Sequence, residues 1–284
     1  MEKQTVNQRD PFVIDGPACI SFSGGRTSAY LLWRVLQSNG GVLPQDVVVC
    51  FANTGKEEEA TLRFVRDCGE RWNVPIIWLE YQADGPGYRV VTFDTASRDG
   101  EPFESVIKKK NYLPNPVTRF CTIELKIRPM AKYLVDAGLA DTKKEGENMS
   151  VIGIRADEQR RAAKISDKGR VPLVAAGVGK EDVLAFWSAQ PFDLQLPNIG
   201  GVTYHGNCDL CFLKGGSQIL SLIAEKPSRA VWWAKMESTT LASKPLGARF
   251  RSDRPAYAEM IRFAEQQRDM FDQSEEGIAC FCGD

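Results

Sequence analysis

Ser23-Gly24-Gly25-Arg26-Thr27-Ser28 puts adjacent glycines, three hydroxyls and a guanidinium into one short run. Such a run suits an anion. Glycines let backbone N–H groups approach a phosphate, and the hydroxyls and the guanidinium add donors. The run is not a Walker loop, which needs Gly-Lys-Ser/Thr, nor the spaced-glycine dinucleotide fingerprint. A tight strand-to-helix turn with Ser/Thr capping would use the same residues. A second set of chemically competent residues is sulfur. Cys208-Asp209-Leu210-Cys211 has the spacing that lets two thiolates reach one metal from a turn. Cys280-Phe281-Cys282 lies near the C-terminal end, and Cys121 just precedes a helical pattern, where a helix start favours thiolate. These five thiols suit an iron–sulfur cluster or structural zinc. A thioredoxin-like redox pair fits less well, because Cys208 follows no recognisable first strand of that fold. Of the eight cysteines, Cys19, Cys50 and Cys68 sit in apolar or helical patterns and read as core. His205 is the one histidine, which excludes His-rich metal sites and argues against a Ser-His-Asp triad. Arg155 and Arg161 follow a strand-like run, where they can meet phosphate or sulfate or form an exposed, salt-bridged helix start.

The elements that must position these residues can be read from periodicity. Ala18-Cys19-Ile20-Ser21-Phe22 reads as a strand, and Ala29 to Leu36 as a helix behind the glycines. Gln45–Phe51 reads as a buried parallel strand ending in Asn53-Thr54-Gly55. A helix over about Glu57–Trp72 and a strand over Pro75–Tyr81 follow. Strand, helix, strand, helix, strand with short links predicts a parallel sheet with right-handed crossovers, and ligands in such sheets sit beyond the carboxyl ends of the strands. Residues 82–118 read as irregular, with Lys108-Lys109-Lys110 a solvated face. Val151–Arg155 reads as a further strand and Val171-Pro172-Leu173 as the last one. A helix from about Lys180 turns Val183, Leu184 and Trp187 inward. Helices are expected near Ser217–Glu225, Ser228–Glu237 and Pro255–Asp272. The expected fold class is α/β, a parallel sheet flanked by helices over residues 1–190, with a mainly helical, cysteine-bearing region over 191–284.

The 284 residues, 43% of them hydrophobic, can bury a sizeable core. A net charge of −1 and a pI near 6.1 give no overall field for nucleic acid, so any such contact needs a local patch. Met1–Thr5 lacks the basic and apolar regions of a signal peptide, and no apolar run approaches the ~18 residues of a membrane helix. A cytoplasmic protein without membrane contact is expected.

In order along the chain, the motifs are Ser23–Ser28, Asn53-Thr54-Gly55 with Glu57, Arg119-x-Cys121 with Lys126 and Pro129, Gly153-x-Arg155 with Glu158 and Arg161, Pro172-Leu173 with Asp182-Val183, and Cys208-x-x-Cys211. Together they resemble the superfamily of PAPS reductases and ATP pyrophosphatases with a Ser-Gly-Gly loop. Arg119-Phe120-Cys121-Thr122 with Leu125-Lys126-Ile127 is most similar to the iron–sulfur subunit of DNA phosphorothioate modification and to phage-encoded PAPS reductase-like proteins. The resemblance implies an adenine nucleotide alpha hydrolase-like fold. It places ATP or PAPS at Ser23, Gly24, Gly25, Thr27 and Ser28, and the adenosine end near Asn53, Thr54 and Gly55. It also implies a [4Fe–4S] cluster, with zinc as the chemical alternative. Cys121, Cys208 and Cys211 would be three ligands and Cys282, ahead of Cys280, the fourth. The sequence departs from the family pattern in three places. Thr27 stands where the pyrophosphatases carry an aspartate linked to magnesium. Cys121 stands alone where cluster-bearing reductases have two adjacent cysteines. The Glu-Cys-Gly-x-His tail of the dedicated reductases is missing.

The expected function is adenine-nucleotide-dependent sulfur transfer. ATP would activate an acceptor, and pyrophosphate would leave into a ring of Arg26, Lys126, Arg155 and Arg161. A sulfur donor protein is an expected partner. A PAPS or APS reductase is the alternative enzyme, and a nucleotide-binding interaction module without turnover the non-enzymatic one.

Overall fold

The computed structural model describes residues 10–165, 169–199, 202–206, 208–244 and 247–274. Cys280 and Cys282, the expected tail ligands, lie outside the described residues. The chain divides into two compact units, residues 1–109 with 120–209, and residues 110–119 with 210–284. The main boundary thus falls at Asp209–Leu210, whereas the sequence reading places it after residue 190.

In the first unit, β1 (Ala18–Phe22), α1 (Arg26–Ser38), β2 (Val47–Asn53), α2 (Glu59–Arg71) and β3 (Ile76–Tyr81) alternate as the hydrophobic pattern predicts. β4 (Tyr88–Val91) and α3 (Glu101–Lys110) occupy part of the stretch read as irregular. β4 turns back along β3, and so short a strand leaves little periodicity to read. α4 (Phe120–Thr122) runs through a π-helical turn (Ile123–Ile127) into α5 (Arg128–Asp136), followed by α6 (Lys143–Asn148) and β5 (Ser150–Ile152). Then come α7 (Gln159–Ala162), α8 (Pro172–Ala175), α9 (Lys180–Ser188), and the hairpin strands β6 (Asn198–Ile199) and β7 (Val202–Thr203). The last strand expected at Val171-Pro172-Leu173 is therefore a helical turn. Proline at a first helical position suits α8, since its fixed φ is helical and its missing N–H has no helical partner to lose. Among the described residues, strand pairing there is one bridge, Arg170 with Val151.

The sheet order is β4-β3-β2-β1-β5, parallel except for the antiparallel edge strand β4. Alternation assigns its two faces. Ile20, Phe22, Val49 and Phe51 join Leu31, Leu32 and Val65 from α1 and α2 in one core layer. Cys19, Cys50, Ala52 and Leu79 point the other way and meet Met130 and Leu134 of α5. Each large apolar side chain fully buried here contributes roughly 1.5–3 kcal/mol. α9 packs on α1 through Tyr30 and Phe186, whose ring centroids lie 5.0 Å apart. Trp187 Nε1 donates to the Arg26 carbonyl at 2.9 Å, tying α9 to the start of α1.

The second unit holds α10 (Gly216–Glu225), α11 (Ser228–Ser243) and α12 (Tyr257–Ser274). Trp233 packs on Phe250 and Tyr257 at 4.9 and 5.4 Å between ring centroids, and the Tyr257 hydroxyl donates to the Leu210 carbonyl at 2.7 Å. Buried Glu237 accepts from the Tyr257 and Phe250 amides, and burial pushes its pKa up. Among the described residues no helix is long and apolar enough to cross a membrane.

Candidate functional site

β1 ends at Phe22 and α1 begins at Arg26, so the glycine run is the turn between them. Gly24 has φ +74°, and a Cβ added to it would lie 2.6 Å from Thr61 Cγ2. Both its conformation and the approach of α2 demand glycine. Gly25, the N-cap of α1, is extended, and a Cβ there meets only Ser23 Oγ, at 3.6 Å. The Ser28 hydroxyl accepts from the Ser23 amide at 3.2 Å and the Ser23 hydroxyl at 3.0 Å, and donates to the Gly25 carbonyl at 2.9 Å. The turn is thereby shaped from within. No side chain caps α1 and its first turn carries no acid. The positive end of the helix dipole is left to the space in front of it.

That space is a cleft of about 400 Å³, lined by the loop residues Ser23–Thr27. Lys126, Arg155, Arg161 and Lys180 also line it, together with the carboxylates of Glu57 and Glu158. Lys126, carried by the π-helical turn, has its ammonium 3.8 Å from the Glu57 carboxylate. Arg155 donates twice to Asp157, both at 2.9 Å, and its Nη1 donates to the Thr27 hydroxyl at 3.3 Å. The bidentate bond lowers the Asp157 pKa and raises that of Arg155, so both groups stay charged near neutrality. Arg161 is paired with Glu158. Gly153 explains how Arg155 reaches the loop: a Cβ there would lie 3.1 Å from Ser28 Cα, so the segment after β5 lies directly on the start of α1. The lining holds four cations and two carboxylates besides Arg26, and Asp157 and Glu181, which pair with Arg155 and Lys180, stand outside it.

Arg26 also lines the cleft. Its side chain is buried, with Nε and Nη2 donating to Asp193 at 2.7 and 2.5 Å, Nη2 also to the Leu196 carbonyl at 3.1 Å, and Nη1 to the Thr203 hydroxyl at 3.2 Å. Its charge is matched by Asp193, as those of Arg155 and Arg161 are by Asp157 and Glu158, and Arg26 lines the cleft with them.

Asn53, Thr54 and Gly55 lie at the carboxyl end of β2 as expected, but they are closed off from solvent. Asn53 Nδ2 donates to Glu80 at 2.6 Å and to the Ser97 carbonyl at 2.8 Å, and its Oδ1 accepts from the Gly55 amide at 3.1 Å. Glu80, fully buried, accepts further bonds from the Ser97 amide and hydroxyl and from Arg89. The Thr54 amide donates to Glu57 at 2.9 Å, and the Thr54 hydroxyl bonds it as well, so this turn presents Glu57 to the cleft. Their bonds run within the protein, and Asn53, Thr54 and Gly55 remain the residues the motif resemblance places near the adenosine end. An acid within an otherwise apolar strand was the available signal for Glu80, since a buried charge needs partners. Lys180 carried no signal beyond its position at a helix start.

Among the sulfur candidates, Cys208 forms an antiparallel bridge with Glu57, and its Sγ lies 3.5 Å from Thr54 Oγ1. Buried Lys56 and Asp209 pair beside it at 3.1 Å. Cys121 sits in α4, at a helix start as expected; Cys121, Cys208 and Cys211 are all half-buried. Cys19, Cys50 and Cys68 are buried, as read from the sequence. The Cys50 pKa is pushed up by a bond with Cys19 and by burial, and that of Cys68 by burial, which disfavours metal-binding thiolates there. Among the described residues no three Cys, His, Asp or Glu side chains gather as a metal-binding group.

No protein-family profile matches the chain. It is 28% identical over 152 residues to the uncharacterized protein MJ0066 of Methanocaldococcus jannaschii, spanning 53% of this chain and only 25% of that protein. Among solved structures, the U34-tRNA thiolase NcsA from Methanococcus maripaludis, with its [4Fe-4S] cluster, aligns over 95% of this chain and 77% of its own at 13% identity and a TM-score of 0.38. The uncharacterized nin region protein ORF290 of Escherichia phage lambda is 36% identical over 210 residues, spanning 70% of this chain and 67% of that protein. On that identity and coverage, the chain belongs to the family of the phage lambda nin region protein ORF290.

Proposed function

We propose that this chain is an adenine-nucleotide-dependent sulfur-transfer enzyme whose nucleotide phosphates lie at the β1–α1 turn. One observation carries the reading. An uncapped helix start behind a Gly-Gly turn opens on a cleft whose lining carries more cations than carboxylates. The motif resemblance supplies the adenine nucleotide. An acceptor oxygen attacks the α-phosphorus of ATP; the new P–O bond forms as the bond to pyrophosphate breaks. Pyrophosphate, with its developing charge, leaves toward Lys126, Arg155 and Arg161, and that neutralisation is the main contribution these residues can make. A sulfur nucleophile then displaces AMP from the acceptor.

Arg155→Ala is expected to weaken ATP or PAPS binding at least tenfold, about 1.4 kcal/mol, and adenosine binding by less than half that factor. Equal weakening of all three would assign Arg155 to the fold. Titration calorimetry reads the difference.

The PAPS or APS reductase reading keeps one specific support. Thr27 offers the loop no carboxylate for magnesium, and its hydroxyl already accepts from Arg155. Pyrophosphate release from ATP supports sulfur transfer; sulfite release from PAPS with a thiol reductant supports the reductase. Binding without either product would leave a nucleotide-binding module.

The iron–sulfur centre is proposed from the motif resemblance, with Cys121, Cys208, Cys211 and a tail cysteine as its ligands; cysteine spacing alone suits zinc equally. Protein isolated without oxygen is expected to be brown, with sulfide in proportion to iron, and Cys208→Ser to bleach it while Cys68→Ser does not. Colourless protein holding stoichiometric zinc would defeat it.

A further inference from the structure

Arg26 lines the cleft, yet its guanidinium is engaged within the protein by a segment whose own lining residues are uncharged. Every nitrogen of the Arg26 guanidinium group bonds within the protein: to Asp193, to the Leu196 carbonyl and to the Thr203 hydroxyl. Its side chain is only 9% exposed. All its partners lie at 193–196 or in β7, and this part of the chain also lines the cleft through Leu194, Asn198 and Thr203. The remaining cations of the lining come from the π-helical turn, the region after β5 and the start of α9. The charged and the uncharged residues of the lining therefore come from different segments, and Arg26, the first residue of α1, is bonded to the uncharged one.

We infer that Arg26 is a positioning residue, which through Asp193 holds β6 and β7 against the cleft so that Asn198 reads the uncharged nucleoside part of the ligand. The inference rests on the nucleotide reading above. An amide both donates and accepts, so it matches ribose hydroxyls and ring nitrogens, whereas bare phosphate offers acceptors alone. A planar guanidinium held bidentately by a carboxylate, with two more acceptors beyond, fixes orientation as a lysine could not. Asn198 itself is exposed, so its side chain is available to a ligand and its truncation does not open the core.

The test compares ATP with inorganic tripolyphosphate, which shares the phosphates and lacks the nucleoside. Calorimetry would use the wild type, the double variant Arg26→Gln/Asp193→Asn, which removes both charges together, and Asn198→Ala. For each variant the expected result is at least a tenfold rise in the Kd for ATP, with the Kd for tripolyphosphate changed less than twofold. Equal weakening of both ligands in the double variant would make Arg26 a phosphate ligand and overturn the inference. So would unchanged ATP binding by Asn198→Ala, which also covers the case of a double variant that fails to fold. Wild-type protein that binds neither ligand would overturn the nucleotide reading itself, an outcome distinct from the other two.

Discussion

Replacing Glu80 by alanine is expected to destabilise the first unit by about 2 kcal/mol or more, because it leaves buried hydrogen-bond donors without an acceptor. Glu80 has no exposed surface. Its Oε1 accepts from Asn53 Nδ2 and the Ser97 amide, both at 2.6 Å. Its Oε2 accepts from Arg89 at 2.6 and 3.0 Å and from the Ser97 hydroxyl at 2.9 Å. Arg89 is 49% exposed and can turn to water, so its loss is the lesser one. The Asn53 amide and Ser97 N–H cannot, and an orphaned buried donor costs roughly 1–3 kcal/mol. Urea unfolding followed by tryptophan fluorescence should show a lower midpoint with an unchanged slope. A midpoint within error of wild type would mean that this network contributes little.

The second large effect separates two adjacent glycines. Gly24→Val forces a β-branched residue to φ +74° and puts its Cβ 2.6 Å from Thr61 Cγ2, with Val65 and Phe51 at 3.1 and 3.3 Å. Left-handed backbone costs about 1–2 kcal/mol and overpacking typically about 1–3 kcal/mol more. The variant should therefore unfold far below the wild-type temperature. Gly25→Val meets neither obstacle, since its backbone is extended and only Ser23 Oγ lies near, at 3.6 Å. It should keep the fold and lose nucleotide affinity at least tenfold, because its side chain projects where the backbone would meet an anion. Scanning calorimetry with ATP titration separates the two outcomes. Equal melting temperatures would mean that the loop yields freely at Gly24.

The parts legible in the sequence are those whose cause is local. Ile20 and Phe22 alternate with Cys19 and Ser21, and the glycines follow at once, so β1, the turn and α1 could be placed from pattern alone. Arg155 could be placed near the loop because its motif follows a strand-like run. The hydrogen bonds of Asn53 could not be read from its neighbours in sequence. It reads as a polar residue at a strand end, the usual place for a ligand contact. The register of β2 on β3 puts it opposite Glu80, and only that pairing turns its amide inward. The pairing of Arg26 was hidden for the same reason, since Asp193 is remote in sequence and no local pattern announces it. Val171-Pro172-Leu173 misled through β propensity, where the proline in fact begins α8. Cysteine spacing shows which thiols could share a metal; whether they gather depends on folding around them.

The most direct test of the central claim is titration of wild-type protein with ATP, PAPS and adenosine under the same conditions. The cleft at the β1–α1 turn predicts that ATP or PAPS binds at least tenfold tighter than adenosine, because the loop, Lys126, Arg155 and Arg161 act on phosphate. Failure to bind either charged nucleotide, or affinity equal to that for adenosine, would contradict it.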